Sequence, residues 1–180
     1  KSFKDVFHVE CEKLQFFCES ITDCHHSSPV FLPHGKHVVR NFNIKNGRML
    51  LDNVFFTNNS TFEQRVSRAK PEAGDVIITR EAPMGEVCII PEGVEGCLGQ
   101  RMVLIKPDLK KVDKQFLLYA LLSDYSQTQI HQSNGTGSIV SNLRIPVLKA
   151  LRVPNLKLPT QKFIGKTLGA IDKKIELNIK

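Results

Sequence analysis

Gly74-Asp-Val-Ile-Ile-Thr-Arg80-Glu-Ala-Pro-Met-Gly85-Glu-Val-Cys-Ile-Ile90 decides how the chain is read. Its two apolar runs, Asp75 to Thr79 and Glu86 to Ile90, are short and rich in β-branched residues, with Pro83 and Gly85 between them. That pattern predicts one β-hairpin whose tip carries Arg80 to Met84. Similar runs lie outward on both sides, at Val38 to Phe42, Val54 to Thr57 and Met102 to Lys106. Asn46-Gly47, Asn58-Asn59 and Pro91-Glu92-Gly93 punctuate them as turns. Many short strands joined by tight turns predict an antiparallel sheet or an open barrel.

After Asp113 the period becomes helical. Phe116, Leu117, Ala120, Leu121 and Tyr125 share a face up to about Gln132, Asp113 suits the N-cap, and Asn134-Gly-Thr-Gly137 ends the run. Ile139 to Leu158 reads as extended, because Pro146, Pro154 and Pro159 forbid a long helix. From Thr160 onward, Ile164, Leu168, Ile171, Ile175 and Asn178 step by three and four, the seam of a coiled coil. Lys162, Lys166, Lys173 and Lys174 stay off it. A lone amphipathic helix of that length is marginal in water, so it packs on a partner helix or on its own domain. The expected class is α+β: a β-rich unit with a packed helix over residues 1–157, then a long coiled-coil-type helix over residues 158–180.

Composition narrows the function classes. With 41% hydrophobic residues the 180-residue chain can build a real core. No run reaches the about 20 apolar residues of a membrane helix and no signal-peptide core opens the chain, so no membrane association and a cytoplasmic location are expected. A chain that opens on Lys1 is expected to be processed or excised from a longer one. The five cysteines, Cys11, Cys18, Cys24, Cys88 and Cys97, are odd in number and irregular in spacing, which suits reduced thiols. Cys11, Cys18 and Cys24 beside His25 and His26 are metal-ligand types, but gaps of six and five residues exceed those of a zinc knuckle. No metal and no cofactor are expected. The net charge of +7 is unevenly placed: residues 34–70 carry +5 and residues 113–180 carry +6, while residues 1–33 and 71–112 are each −2. Two basic blocks suit surfaces that face phosphate, or simply a solvated face.

Several segments, taken in order, resemble the specificity subunits of type I restriction-modification systems. They are the hairpin stretch quoted above, Leu98-Gly-Gln-Arg-Met-Val-Leu-Ile105, and Leu158-Pro-Thr-Gln-Lys-Phe-Ile164 with Leu168, Ile171, Asp172, Lys174 and Ile175 after it. Ile21-Thr-Asp-Cys-His-His-Ser-Ser-Pro29 is similar to the family's Asp-Gly-x-His-x-Thr-Pro stretch, with Cys24 in place of glycine and Ser28 in place of threonine. The resemblance implies a non-catalytic DNA-recognition unit. Its partners would be double-stranded DNA, methyltransferase subunits and a restriction/translocase subunit. Full-length members resemble two recognition domains alternating with two helical regions, and this chain has material for one of each. A half-subunit or a fragment is implied, and head-to-tail self-pairing through the seam would restore two readers of a split target.

Sequence reading of DNA needs side chains for base edges and others for phosphates. His25, His26, Ser27 and Ser28 form one polar cluster, and Lys36, Arg40 and Asn41 beside His37 a second. Arg80 and Met84 mark the hairpin tip, while Asn134, Thr136 and Ser138 mark a Gly-containing turn. Each has a plainer reading: loop histidines, phosphate contacts for Lys36 and Arg40, an ion pair of Arg80 with Glu81 or Glu86, a helix stop at Asn134. No Walker loop, nucleophile elbow, His-Glu-x-x-His or Asn-Pro-Pro-aromatic stretch occurs. Asp108-Leu-Lys110 and Asp172-Lys-Lys174 echo a nuclease Asp-x-Lys and keep a small metal-dependent endonuclease open. A protein-binding adaptor with an incidental basic surface is the third class.

Overall fold

The structure, a computed structural model, describes residues 9–132 and 142–179. The predicted hairpin is its centre. Val76–Thr79 (β7) pairs antiparallel with Val87–Ile89 (β8), Ile77 lying opposite Cys88. On its other edge β7 pairs with Met102–Pro107 (β10), which in turn pairs with Cys18–Asp23 (β2), giving the antiparallel order β2-β10-β7-β8.

Strand alternation splits the interior in two. Val76, Ile78, Val87, Val103 and Ile105 point to one face, where they form a core with helical residues. Ile77, Cys88, Met102 and Leu104 point to the other, against a second sheet. A sheet buried on both faces needs continuous apolar strands, which is why Val-Ile-Ile and Met-Val-Leu-Ile show no polar alternation. Fully burying each Ile or Leu contributes about 1.5–3 kcal/mol.

The first face is covered by Lys114–Leu122 (α2), Asp124–Gln132 (α3) and Ile145–Ala150 (α4). Asp113 caps α2 as expected, its carboxylate accepting from Phe116 N at 3.0 Å. The single helix expected up to Gln132 is broken at Ser123, whose backbone is extended (ψ 150°) and whose hydroxyl faces Ser126 N. The stretch read as extended holds α4, because Pro146 sits in its first turn, where its missing N–H costs nothing. On the opposite face, Lys36–Val39 (β3) pairs antiparallel with Phe55–Thr57 (β6) and parallel with Gly96–Leu98 (β9). Asn59–Val66 (α1) covers that layer, with Asn58 accepting from Thr61 N at 2.8 Å as its N-cap. What reads as an Asn-Asn turn is thus a helix start. Ile44–Lys45 (β4) and Arg48–Met49 (β5) form a small hairpin through Asn46-Gly47, both at positive φ. Among the described residues the four-stranded and three-stranded sheets stay open and do not close into a barrel.

Cys11–Lys13 (β1) pairs antiparallel with Arg152–Pro154 (β11), so the segment entering the globule lies beside the one leaving it. Leu158–Ile179 (α5) comes next. Its first turns dock on the cap of α2. Gln161, fully buried, accepts from Asp113 N and donates to Lys111 O and Leu156 O. A Cβ at Gly165 would come within 2.7 Å of Asp113 Oδ1 and 2.8 Å of Phe116 N, so glycine allows the close approach. All five cysteines are free. Among the described residues no helix is long and apolar enough to cross a membrane.

Candidate nucleic-acid interface

Several loops are cross-linked by polar contacts around the ends of β2, β3, β7 and β9. Asp23, ending β2, receives Arg80 Nη1 at 2.7 Å and lies 3.2 Å from His26 Nε2. Arg80 also donates from Nε to Leu143 O at 2.9 Å and from Nη2 to Asn142 Oδ1 at 3.1 Å. Asn142 donates to Glu81 at 2.6 Å, and Glu81 pairs with Arg101 at 3.2 Å. Gln100 donates to His26 O, and Asn41 donates to Ala82 O at 2.6 Å. Loops bound to one another in this way hold their outward groups in place.

Ser28, Arg40 and Asn41, expected from sequence, line one concavity with Phe31, Gln100 and Arg101. His25, His26 and Ser27 occupy the adjoining loop. That loop is held from beneath by Arg65, buried on α1, which donates to Leu98 O (2.8 Å), Ser27 O (2.9 Å) and His25 O (3.2 Å). Burial, then the nearby Arg68 and Arg65, keep the His25 imidazole below its ordinary pKa, and among the described residues its buried Nε2 has no hydrogen-bond partner. Lys36 sits at the far end of β3 from Arg40, about 13 Å along an extended strand, paired to Glu95 at 2.7 Å.

Two expected site residues have other duties. Arg80 is 9% exposed and donates from all three guanidinium nitrogens within the protein, so it ties loops together instead of projecting to a base edge. Met84 is buried among Val87, Leu117 and the rest of the helical-side core. Asn134, Thr136 and Ser138 lie outside the described residues.

Sequence reasoning misses Gln100, Arg101 and Arg65. Gln100-Arg101 interrupts two apolar runs, which is a usable signal; Arg65 carries none, because the helix bearing it reads as turn and loop. The Asp-x-Lys echoes resolve into ion pairs, Asp108 with Lys111 at 3.0 Å and Asp172 with Arg48 at 2.8 Å. Among the described residues no three His, Cys, Asp or Glu gather in a metal-binding arrangement. Burial raises the Cys24 thiol pKa and pushes that of Cys18 to about 12.

Along α5 the seam leaves the globule. Ile164 packs partly against the core, Leu168, Ile171 and Ile175 are 38%, 50% and 49% exposed, and Asn178 is exposed. Phe116, Tyr119, Pro154, Leu156, Ile164 and Leu168 line an apolar hollow continuous with that stripe.

A family model described as type I restriction modification DNA specificity domain matches residues 3–180. Two Methanocaldococcus jannaschii proteins described as type I restriction enzyme specificity subunits are similar in sequence. MjaX is 34% identical over 106 residues, covering 59% of this chain and 24% of its own, and MjaVIII is 30% identical over 114 residues, covering 61% and 27%. The HsdS subunit of Thermoanaerobacter tengcongensis shares the fold at TM-score 0.68 and 16% identity, over 93% of this chain and 43% of that one. The type I restriction-modification S subunit of M. genitalium does so at 0.65 and 18%, over 98% and 42%. The chain thus spans about a quarter of the length of the curated relatives and about two fifths of the solved ones. With the match running through both the β-rich globule and the terminal helix, the chain belongs to the type I restriction modification DNA specificity domain family.

Proposed function

We propose that this chain reads DNA sequence as the specificity component of a cytoplasmic type I restriction-modification assembly. Methyltransferase and restriction/translocase subunits would carry out the chemistry and hold any cofactors. The single observation that carries the reading is the concavity where Ser28, Arg40, Asn41, Gln100 and Arg101 converge. Its mixture of planar cations, amides and a hydroxyl is what base edges and phosphates require, and the cross-linked loops preorganise it. Residues 1–157 are the recognition unit and residues 158–180 the helical spacer. The stripe Leu168, Ile171 and Ile175 supports pairing with a second helical spacer, met in a head-to-tail homodimer, so that one chain reads half of a split target.

The deciding experiment is selection of duplexes from a randomised pool by the chain together with a partner methyltransferase. A reproducible consensus is expected, with affinity falling linearly in log salt concentration. Absence of affinity at low salt, with and without the partner, would overturn the proposal, and cleavage of DNA by the purified chain in Mg²⁺ would replace it with an endonuclease.

A further inference from the structure

Arg40 differs from the other cations around the concavity in what holds it. Its guanidinium carbon lies 4.7 Å from the Phe42 ring centroid, 5.0 Å from Phe55 and 5.3 Å from Phe31. The three rings come from separate segments: the loop before β3, the short turn Asn41–Asn43 and strand β6. They contact one another, Phe31 to Phe55 at 4.8 Å and Phe42 to Phe55 at 6.1 Å, and each remains 38–44% exposed.

Cation–π attraction acts through ring faces and leaves the in-plane N–H groups of a guanidinium free. Arg65 and Arg80 use those groups on internal carbonyls and side chains, Arg48 on Asp172, and Arg101 lies against Glu81. Among the described residues the Arg40 side chain has no hydrogen bond and no carboxylate partner. It is a planar donor fork, fixed in place by aromatic contacts, at the wall of a pocket that also presents Ser28, Asn41 and Gln100.

The surroundings select the acceptor. A phosphate brought among three exposed phenylalanines would lose hydration to apolar surface, whereas a base pair presents a polar edge on a flat, weakly hydrated body. The guanine edge in the major groove, with O6 and N7 as adjacent acceptors, matches a fixed two-pronged donor. We infer that Arg40 is a specificity-determining residue that reads the guanine of one G·C pair, with Phe31, Phe42 and Phe55 as its positioning residues. This rests on the DNA-reading function proposed above, and it narrows that function to one residue and one base.

Duplex selection from a randomised pool, with the full chain and its methyltransferase partner, tests it. The wild type should yield a consensus with an invariant G·C position. Arg40→Lys and Arg40→Ala should flatten that position alone and lower affinity for the wild-type consensus roughly 5- to 150-fold, the equivalent of one bidentate pair. Affinity for random duplex should hardly change. Phe42→Leu should loosen the same position less. Arg40→Lys keeps the charge and the aliphatic stem, so it carries the test if Arg40→Ala fails to fold. An unchanged consensus with Arg40→Lys, or equal losses on consensus and random DNA, overturns the inference while leaving DNA recognition standing. No consensus for the wild type defeats both.

Discussion

Arg80 and Asp23, 57 residues apart in the chain, meet at 2.7 Å between Nη1 and Oδ2 and join the end of β2 to the tip of the β7–β8 hairpin. Both side chains are largely shielded, and without Arg80 the Asp23 carboxylate is left beside the exposed His26. Arg80→Ala is expected to lower stability by about 3 kcal/mol, measured by the denaturant midpoint. Asp23→Ala in the same chain should recover part of that loss, since no uncompensated carboxylate is then left. DNA affinity should fall alike on all sequences; a change confined to one base position would contradict the structural role assigned to Arg80.

Arg65 reaches three carbonyls, those of Leu98, Ser27 and His25, from the buried side of α1. A lysine is a point donor and cannot span them. Arg65→Lys should therefore destabilise the chain by about 2 kcal/mol. Amide hydrogen exchange should speed up at residues 25–28 before it does elsewhere. Unchanged protection of that loop would show that Arg65 does not hold it.

His25 gives stability a definite pH slope. Burial, then Arg68, Arg65 and His26, lower its pKa in the fold. In the window between that lowered value and about 6.5, the unfolded chain binds a proton that the folded chain does not. Stability should thus rise with pH across that window and level off above it. His25→Gln should flatten the rise; urea midpoints between pH 5 and 7.5 that run parallel for the two proteins would refute the assignment.

Ile171 and Ile175 are about half exposed on the docked helix and stay out of the apolar hollow, so charging them should leave the globule intact. For the head-to-tail dimer proposed above, Ile171→Glu with Ile175→Glu is expected to reduce the mass by light scattering to that of one chain, with the circular dichroism unchanged. A dimer that survives both changes would place the contact elsewhere.

Legibility in the sequence tracks the range of the forces. The hairpin, the Asn46-Gly47 turn, the Asp113 cap and the Ile164-to-Ile175 stripe are local patterns, and each can be read from neighbours in sequence. The parallel pairing of β3 with β9 sets His37 beside Gly96, and three residues of Gly-Cys-Leu carry no strand signal of their own. Helix α1 is hidden because one of its two buried residues is an arginine. In the sequence Arg80 reads as free or locally paired, yet Glu81 faces Arg101 and Asn142 while Glu86 accepts from Asn46 N, leaving distant Asp23 as its partner. Among the expected site residues Ser28, Arg40 and Asn41 share the concavity because strand ends cluster there, whereas Met84 joins its apolar neighbours inside.

The pairing of β1 with β11 sets Cys11 opposite Pro154, so the two ends of the globule are clasped side by side just before α5 begins. The helix is fastened further along as well, by Gln161 and Gly165 on the cap of α2 and by Asp172 on Arg48. Loops grafted into this body would thus leave the departing rod aimed as before when Arg48, Lys111, Asp113 and Phe116 are carried over, and would let it swing when they are discarded.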